Sequence, residues 1–219
     1  MRIGRTTTNI YLVLCLIVSA SLYACQGGAG DFSSIRNLAS RGTNIICFGD
    51  SLTEGVGAKN GNSYPDLLSA GLGIPVINAG HRGDTAPAAL QRLHEDVLDR
   101  DPRLVIVLLG GNDFLRRVPL EVTRGSLEEI IRRIQERGAM VALVGLKLGL
   151  FRDEYGPLFE KMARSHGALL VPEILDGILS DPSLKSDQIH PNGAGYALIA
   201  ARILDRVKPL LRAADLKRG

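Results

Sequence analysis

Apolar residues return along this 219-residue chain in two alternating rhythms. Continuous apolar runs at 44–48, 75–78, 104–109, 140–144 and 168–171 are too short for ordinary helices, and they predict five strands. Between the strands the spacing becomes helical. Leu90, Leu93 and Val97 share one face, as do Leu127, Ile130, Ile131 and Ile134, and later Tyr196, Ile199, Ala200, Ile203 and Val207. Gly138 stands where the end of a helix favours glycine. Strands that are apolar on both faces and alternate with helices predict a parallel sheet covered on both sides, because parallel neighbours need crossover connections. The expected fold class is α/β, a three-layer α/β/α sandwich around a five-stranded parallel sheet. No internal repeat is present.

The N-terminus has another character. Arg2 and Arg5 precede an apolar run at 10–18, and small residues surround Ala24 and Cys25. That is the architecture of a signal peptide, here residues 1–24, and the run is short for a membrane span, which needs about 20 apolar residues. Leu22-Tyr23-Ala24-Cys25 resembles the lipobox of bacterial lipoproteins, although Tyr23 stands where a small residue is usual. The resemblance implies lipidation of Cys25 and a place in the bacterial cell envelope, facing the periplasm or exterior. A plain secretory peptide, giving a soluble periplasmic or secreted protein, is the alternative. Residues 25–42, rich in Gly, Ser and Asn, read as a lipidated N-terminus and tether, 43–212 as the globular domain, and 213–219 as a polar tail.

Composition narrows the function. The formal charge of +3 falls to +1 once Arg2 and Arg5 leave with the leader, which is too little to argue for a nucleic-acid partner. Of three cysteines, Cys15 would leave with the leader and Cys25 would carry lipid, so Cys47 has no disulfide partner and reads as a small buried hydrophobe. There is no HExxH helix, no CxxC pair and no GxxxxGK[ST] phosphate loop. No metal and no cofactor is expected.

In an open parallel sheet ligands bind at the carboxyl ends of the strands. Four segments there carry candidate chemistry. Gly49-Asp50-Ser51-Leu52 follows the first strand, and a turn there raises the Ser51 hydroxyl above the sheet edge; the bland alternative is a helix cap. Thr53 stands in the last position of a G-x-S-x-G elbow, which argues against the α/β-hydrolase family. Asn78 to Thr85 follows the second strand, where Gly83 allows close backbone approach and His81 is a candidate for substrate contact. Gly110-Gly111-Asn112-Asp113 follows the third, with an amide able to donate to an oxyanion; taken alone it is also an ordinary turn. Before the last helix, Asp187 precedes His190 by three residues, close enough for a carboxylate to hold one ring nitrogen and leave the other aimed at a hydroxyl.

These four segments in this order resemble the sequence blocks of the SGNH hydrolases, a subfamily of GDSL esterases that includes bacterial acyl-thioesterase/lysophospholipase enzymes and arylesterases. The resemblance runs from Ile45 to the final helix and implies a flavodoxin-like SGNH hydrolase fold. It implies Ser51 as nucleophile, His190 as general base and then acid, and Asp187 as its orienter. The N–H groups of Ser51 and Gly83 and the side-chain amide of Asn112 become the oxyanion donors. The substrate is then a small acyl or aryl ester, with thioesters and lysophospholipids also in scope, and the protein a monomer. Residues 146–152 offer an apolar wall with Phe114 and Leu115 opposite, so Phe114 and Leu148, with His81, are the candidate substrate contacts; packing of that loop onto the core is the alternative. A carbohydrate deacetylase or acyltransferase of the same fold, and a non-catalytic envelope lipoprotein, are the rival functions.

Overall fold

The computed structural model describes residues 31–59, 61–148 and 153–218. The expected signal peptide, Cys25 and residues 149–152 of the expected apolar wall lie outside the described residues. One compact unit spans Phe32–Gly219. Its sheet is parallel throughout and ordered β2-β1-β3-β4-β5, with β1 at Asn44–Gly49, β2 at Val76–Gly80, β3 at Pro102–Leu108, β4 at Met140–Val144 and β5 at Leu169–Val171. All five predicted strands are present. Predicted and observed ends differ by at most two residues, with β2 extended to Gly80 by its pairing with Gly49.

The helices are α1 (Ser51–Glu54), α2 (Tyr64–Leu72), α3 (Ala86–Asp96), α4 (Gly111–Leu115), α5 (Leu120–Glu136), α6 (Tyr155–His166) and α7 (Gly193–Arg218). Short 3₁₀ turns occupy Leu98–Arg100 and Pro182–Leu184. Helices α2 and α7 pack together on one face of the sheet, and α3, α5 and α6 on the other. Burial follows the predicted stripes. Leu127, Ile130, Ile131 and Ile134 of α5 and Tyr196, Ile199, Ile203 and Val207 of α7 are all fully buried, as are Ile46, Cys47 and Phe48 in β1 and Val105, Ile106 and Val107 in β3. Each large aliphatic or aromatic side chain buried this way contributes about 1.5–3 kcal/mol. Burial also pushes the Cys47 thiol far above its ordinary range, consistent with a hydrophobe and not a nucleophile.

Two expected boundaries move. Residues 32–40 are not a tether: Phe32, Ile35 and Leu38 pack against the core, Arg36 N donates to Gly167 O, and the Asn37 amide donates to the carbonyls of Gln135 and Ala139. The apolar residues three apart outweigh the Gly- and Ser-rich composition around them. The polar tail expected from 213 is instead helical to Arg218, because Ala214 is buried and Asp215 pairs with Arg103.

The chain crosses from β2 on one side of β1 to β3 on the other. This reversal opens a crevice beyond the carboxyl ends of β1 and β3, the place where open α/β sheets bind ligands. Among the described residues no helix is long and apolar enough to cross a membrane.

Candidate active site

Gly49 ends β1 where a side chain would not fit. A Cβ there would lie 2.1 Å from Thr53 Oγ1 and 2.4 Å from the Leu108 carbonyl oxygen, so α1 starts hard against the strand end. Asp50 caps α1, its Oδ1 accepting the Leu52 N–H at 3.0 Å. Ser51 is therefore the first helical residue and not the cap, and its N–H has no partner within the helix.

The histidine arrives on a short loop. Asp187 Oδ1 accepts the backbone N–H groups of Ile189 and His190, each at 2.9 Å, and Oδ2 accepts from His190 Nδ1 at 2.8 Å. Nε2 of the same ring lies 3.0 Å from Ser51 Oγ, across 139 residues of sequence. An anionic Asp187 places the ring proton on Nδ1 and leaves the Nε2 lone pair for the serine hydroxyl. The Ile189 N–H, then the imidazole, hold the Asp187 carboxyl below its ordinary value, so it is ionised at neutral pH. Ser186 N donates to His190 O at 2.9 Å to close the loop, and Asn192 caps α7 through the N–H groups of Ala194 and Gly195.

Asn112, in α4 just beyond β3, donates its amide to the Asp84 carbonyl at 2.9 Å and lies 3.4 Å from Asp50 Oδ2. Asp84 follows Gly83, whose φ of +83° suits glycine alone without strain. Among the described residues neither the Ser51 N–H nor the Gly83 N–H donates a hydrogen bond. Arg82 holds the Gly83 turn onto α1, its backbone N–H and guanidinium both donating to the Glu54 carboxylate. Asp113, fully buried, accepts from the N-terminal Ala86 N–H of α3 and from Thr123, which ties this turn to two helices.

Ser51, Asn112 and His190 open into one cavity of about 130 Å³. Phe114, Leu115, Leu146 and Leu148 line it, as the sequence suggested, and so do Leu52, Leu175, Leu179 and Ile189, which sequence reasoning missed. His81 is exposed and is not among the residues that line this cavity; its backbone N–H donates to Gly49 O at 2.9 Å, because β2 runs on to Gly80 before the chain turns. Asp50, on the cavity wall, is the other unanticipated group. Burial pushes its carboxyl up to about 7, against the opposing pull of the Leu52 N–H and His190. Among the described residues no three His, Cys, Asp or Glu side chains converge as a metal site requires.

Comparisons with known proteins point to ester hydrolases. The chain is 30% identical to esterase TesA of Pseudomonas aeruginosa over 76% of its own length and 89% of that protein's. It is 27% identical to the thioesterase 1/protease 1/lysophospholipase L1 of Escherichia coli K12, over 79% and 87% respectively. The crystal structure of the psychrotrophic esterase EstA of a Pseudoalteromonas species, inhibited by monoethylphosphonate, superposes with a TM-score of 0.71 at 26% identity, covering 77% of this chain and 98% of that one. The model of the GDSL-like lipase/acylhydrolase family matches residues 47–198, more than half of the chain, and the protein belongs to that family.

Proposed function

We propose that this acylhydrolase cleaves carboxylic esters through an acyl-enzyme on Ser51, with His190 as the proton carrier and Asp187 as its orienter. The observation that carries the reading is the unbroken relay from Asp187 through His190 to Ser51, at 2.8 and 3.0 Å, on the rim of an apolar cavity. Ser51 Oγ attacks the ester carbonyl carbon as its proton passes to Nε2, and the carbonyl π pair moves onto oxygen. The oxyanion is received by the N–H groups of Ser51 and Gly83 and by the Asn112 amide, donors that are already fixed and need little reorganisation. The intermediate collapses, the leaving alkoxide takes the proton from Nε2, and water repeats the sequence to release the acid. Burial raises the Asp50 carboxyl to about 7, so below that pH it is mostly neutral and adds no second negative charge beside the oxyanion.

The cavity wall of Leu146, Leu148, Leu175, Leu179 and Phe114 suits an acyl chain better than a sugar, which favours lipid or aryl esters over acetylated carbohydrates. The basic, apolar and small-residue pattern at 2–25 supports export and a lipid anchor on Cys25, which would keep cytosolic acyl-CoA out of reach. The test is a chain-length series of chromogenic esters with wild-type and Ser51→Ala protein. Loss of turnover in the variant is expected, and wild-type-like turnover by purified Ser51→Ala protein overturns the assignment.

A further inference from the structure

Arg92 lies on α3, one layer beneath the site, and touches none of the reacting atoms. Its side chain is 17% exposed, and its planar face covers the buried Phe48 ring at 4.5 Å. Four hydrogen bonds leave the guanidinium. Nε donates to Asp84 Oδ2 at 2.6 Å, Nη1 to the Ala79 carbonyl at 3.0 Å and to Asp96 Oδ2 at 2.7 Å, and Nη2 to the Gly49 carbonyl at 2.8 Å.

The destinations matter more than the number. Gly49 is the last residue of β1, and its carbonyl stands two residues before the Ser51 N–H. Ala79 lies near the end of β2, which feeds the turn that carries Gly83. Asp84 follows Gly83 directly, and its own carbonyl accepts the Asn112 amide. The Ser51 and Gly83 donors thus sit on segments that this one guanidinium grips, and the Asn112 amide is joined to the second of them through the Asp84 carbonyl; strand pairing, the His81 N–H bond to Gly49 O and the bonds of Asn78 and Arg82 to Glu54 also link the two segments. A rigid fork is what such a clamp requires, because acceptors lying in fixed directions on three segments can be met by a planar guanidinium and not by an ammonium, which acts as a point charge. The Arg82–Glu54 pair also braces the Gly83 turn, but Arg82 is 72% exposed and its pairing is screened by solvent.

We propose that Arg92 is a positioning residue of the hydrolytic reaction, setting the mutual spacing of the Ser51, Gly83 and Asn112 donors by clamping Gly49, Ala79 and Asp84. The proposal rests on the acyl-enzyme reading of Ser51. A misplacement of about 1 Å can cost 10²-fold in rate, and removal of one oxyanion donor costs about 10²–10³-fold. Arg92→Lys keeps charge and bulk but loses the fork, and is expected to lower kcat about 10- to 100-fold with KM within about twofold.

The experiment measures kcat and KM on a short chromogenic ester for wild type, Arg92→Lys, Arg92→Met and Arg137→Met, with urea unfolding of each. Arg137 also donates to a backbone carbonyl, that of Leu98, but at the opposite edge of the sheet, and its variant reports what loss of such a bond does to stability alone. A second readout is the affinity of an alkyl boronic acid, which adds to the serine as a tetrahedral adduct. Support is a fall in boronate affinity matching the fall in kcat in the folded Arg92→Lys protein, with KM held. Wild-type kcat and boronate affinity in folded Arg92→Lys, or a loss of rate that tracks only the unfolded fraction, overturns the proposal. Should Arg92→Met not fold, Arg92→Lys and Asp84→Asn carry the test, and unchanged kcat in both overturns it. Turnover by Ser51→Ala instead removes the underlying reading, so the two failures are told apart.

Discussion

Asp50, just after the end of β1, and Asp187, on the loop before α7, are displaced in opposite directions: burial pushes the Asp50 carboxyl up to about 7, while the Ile189 N–H and the His190 ring hold that of Asp187 low. The exposed carboxylate orients the histidine, and the buried one keeps its proton to a much higher pH. Two acids in one site therefore have two characters set by environment alone.

The Asp50 shift predicts how stability depends on pH. As pH rises from the ordinary Asp value of 3.8 toward about 7, the unfolded chain releases a proton that the folded protein retains, so Asp50 makes folding less favourable across that window and has no further effect above it. Asparagine can still cap α1 through the Leu52 N–H and does not titrate. Asp50→Asn is expected to gain stability relative to wild type at pH 8 compared with pH 5, measured by urea unfolding. An equal difference at the two pH values contradicts the buried, raised carboxyl.

Asp187→Asn tests the orienting bond. The amide can donate to Nδ1 and so force the ring proton onto Nε2, where it blocks acceptance of the Ser51 proton. A loss of about 10²–10⁴-fold in kcat is expected, with KM changed by no more than a fewfold. Stability should barely move, since half of the Asp187 side chain is exposed. A loss smaller than tenfold argues that His190 finds its orientation without the carboxylate.

Much of the site was legible because its chemistry lies in turns with local signals. Gly49-Asp50-Ser51, Gly110 to Asp113 and Asp187 to His190 each follow a recognisable apolar strand or precede a recognisable helix, so their convergence at one sheet edge follows from the topology. Leu175 and Leu179 gave no such signal: they alternate with Ile174 and Ile178, which are fully buried, and local sequence does not distinguish a cavity wall from a core. Arg92 was hidden by its position on α3, where a charge beside Leu93 looks like the solvated face of an amphipathic helix. His81 is the converse case. Its side chain suggested chemistry, while its backbone does the structural work of joining β1 to the turn after β2.

Asn112→Ala separates oxyanion stabilisation from substrate binding. The amide is held by the Asp84 carbonyl at 2.9 Å, so truncation removes a fixed donor and leaves the Ser51–His190 contact intact. A fall of about 10²–10³-fold in kcat is expected with little change in KM, because the donor acts on charge that develops only in the transition state. Labelling of Ser51 by a fluorophosphonate should slow by a similar factor, since the phosphonyl oxygen meets the same donors. A rise in KM at constant kcat would instead make Asn112 a ground-state binding group.

Leu179 tests whether the cavity receives the acyl chain. It lines the same opening as Ser51 and His190 from the segment after β5, and is partly buried against the core. Leu179→Trp adds bulk at a position that can yield toward the cavity, while the catalytic relay lies on other elements. Each methylene that the indole excludes costs about 0.8 kcal/mol of transition-state binding, or about fourfold in kcat/KM. Exclusion of two or three methylenes therefore lowers the ratio of octanoyl to acetyl ester kcat/KM by about 15- to 60-fold, with the acetyl ester itself nearly unaffected. If the ratio holds while both rates fall together, the indole has disturbed the relay, and if neither rate moves, the acyl chain lies elsewhere on the surface.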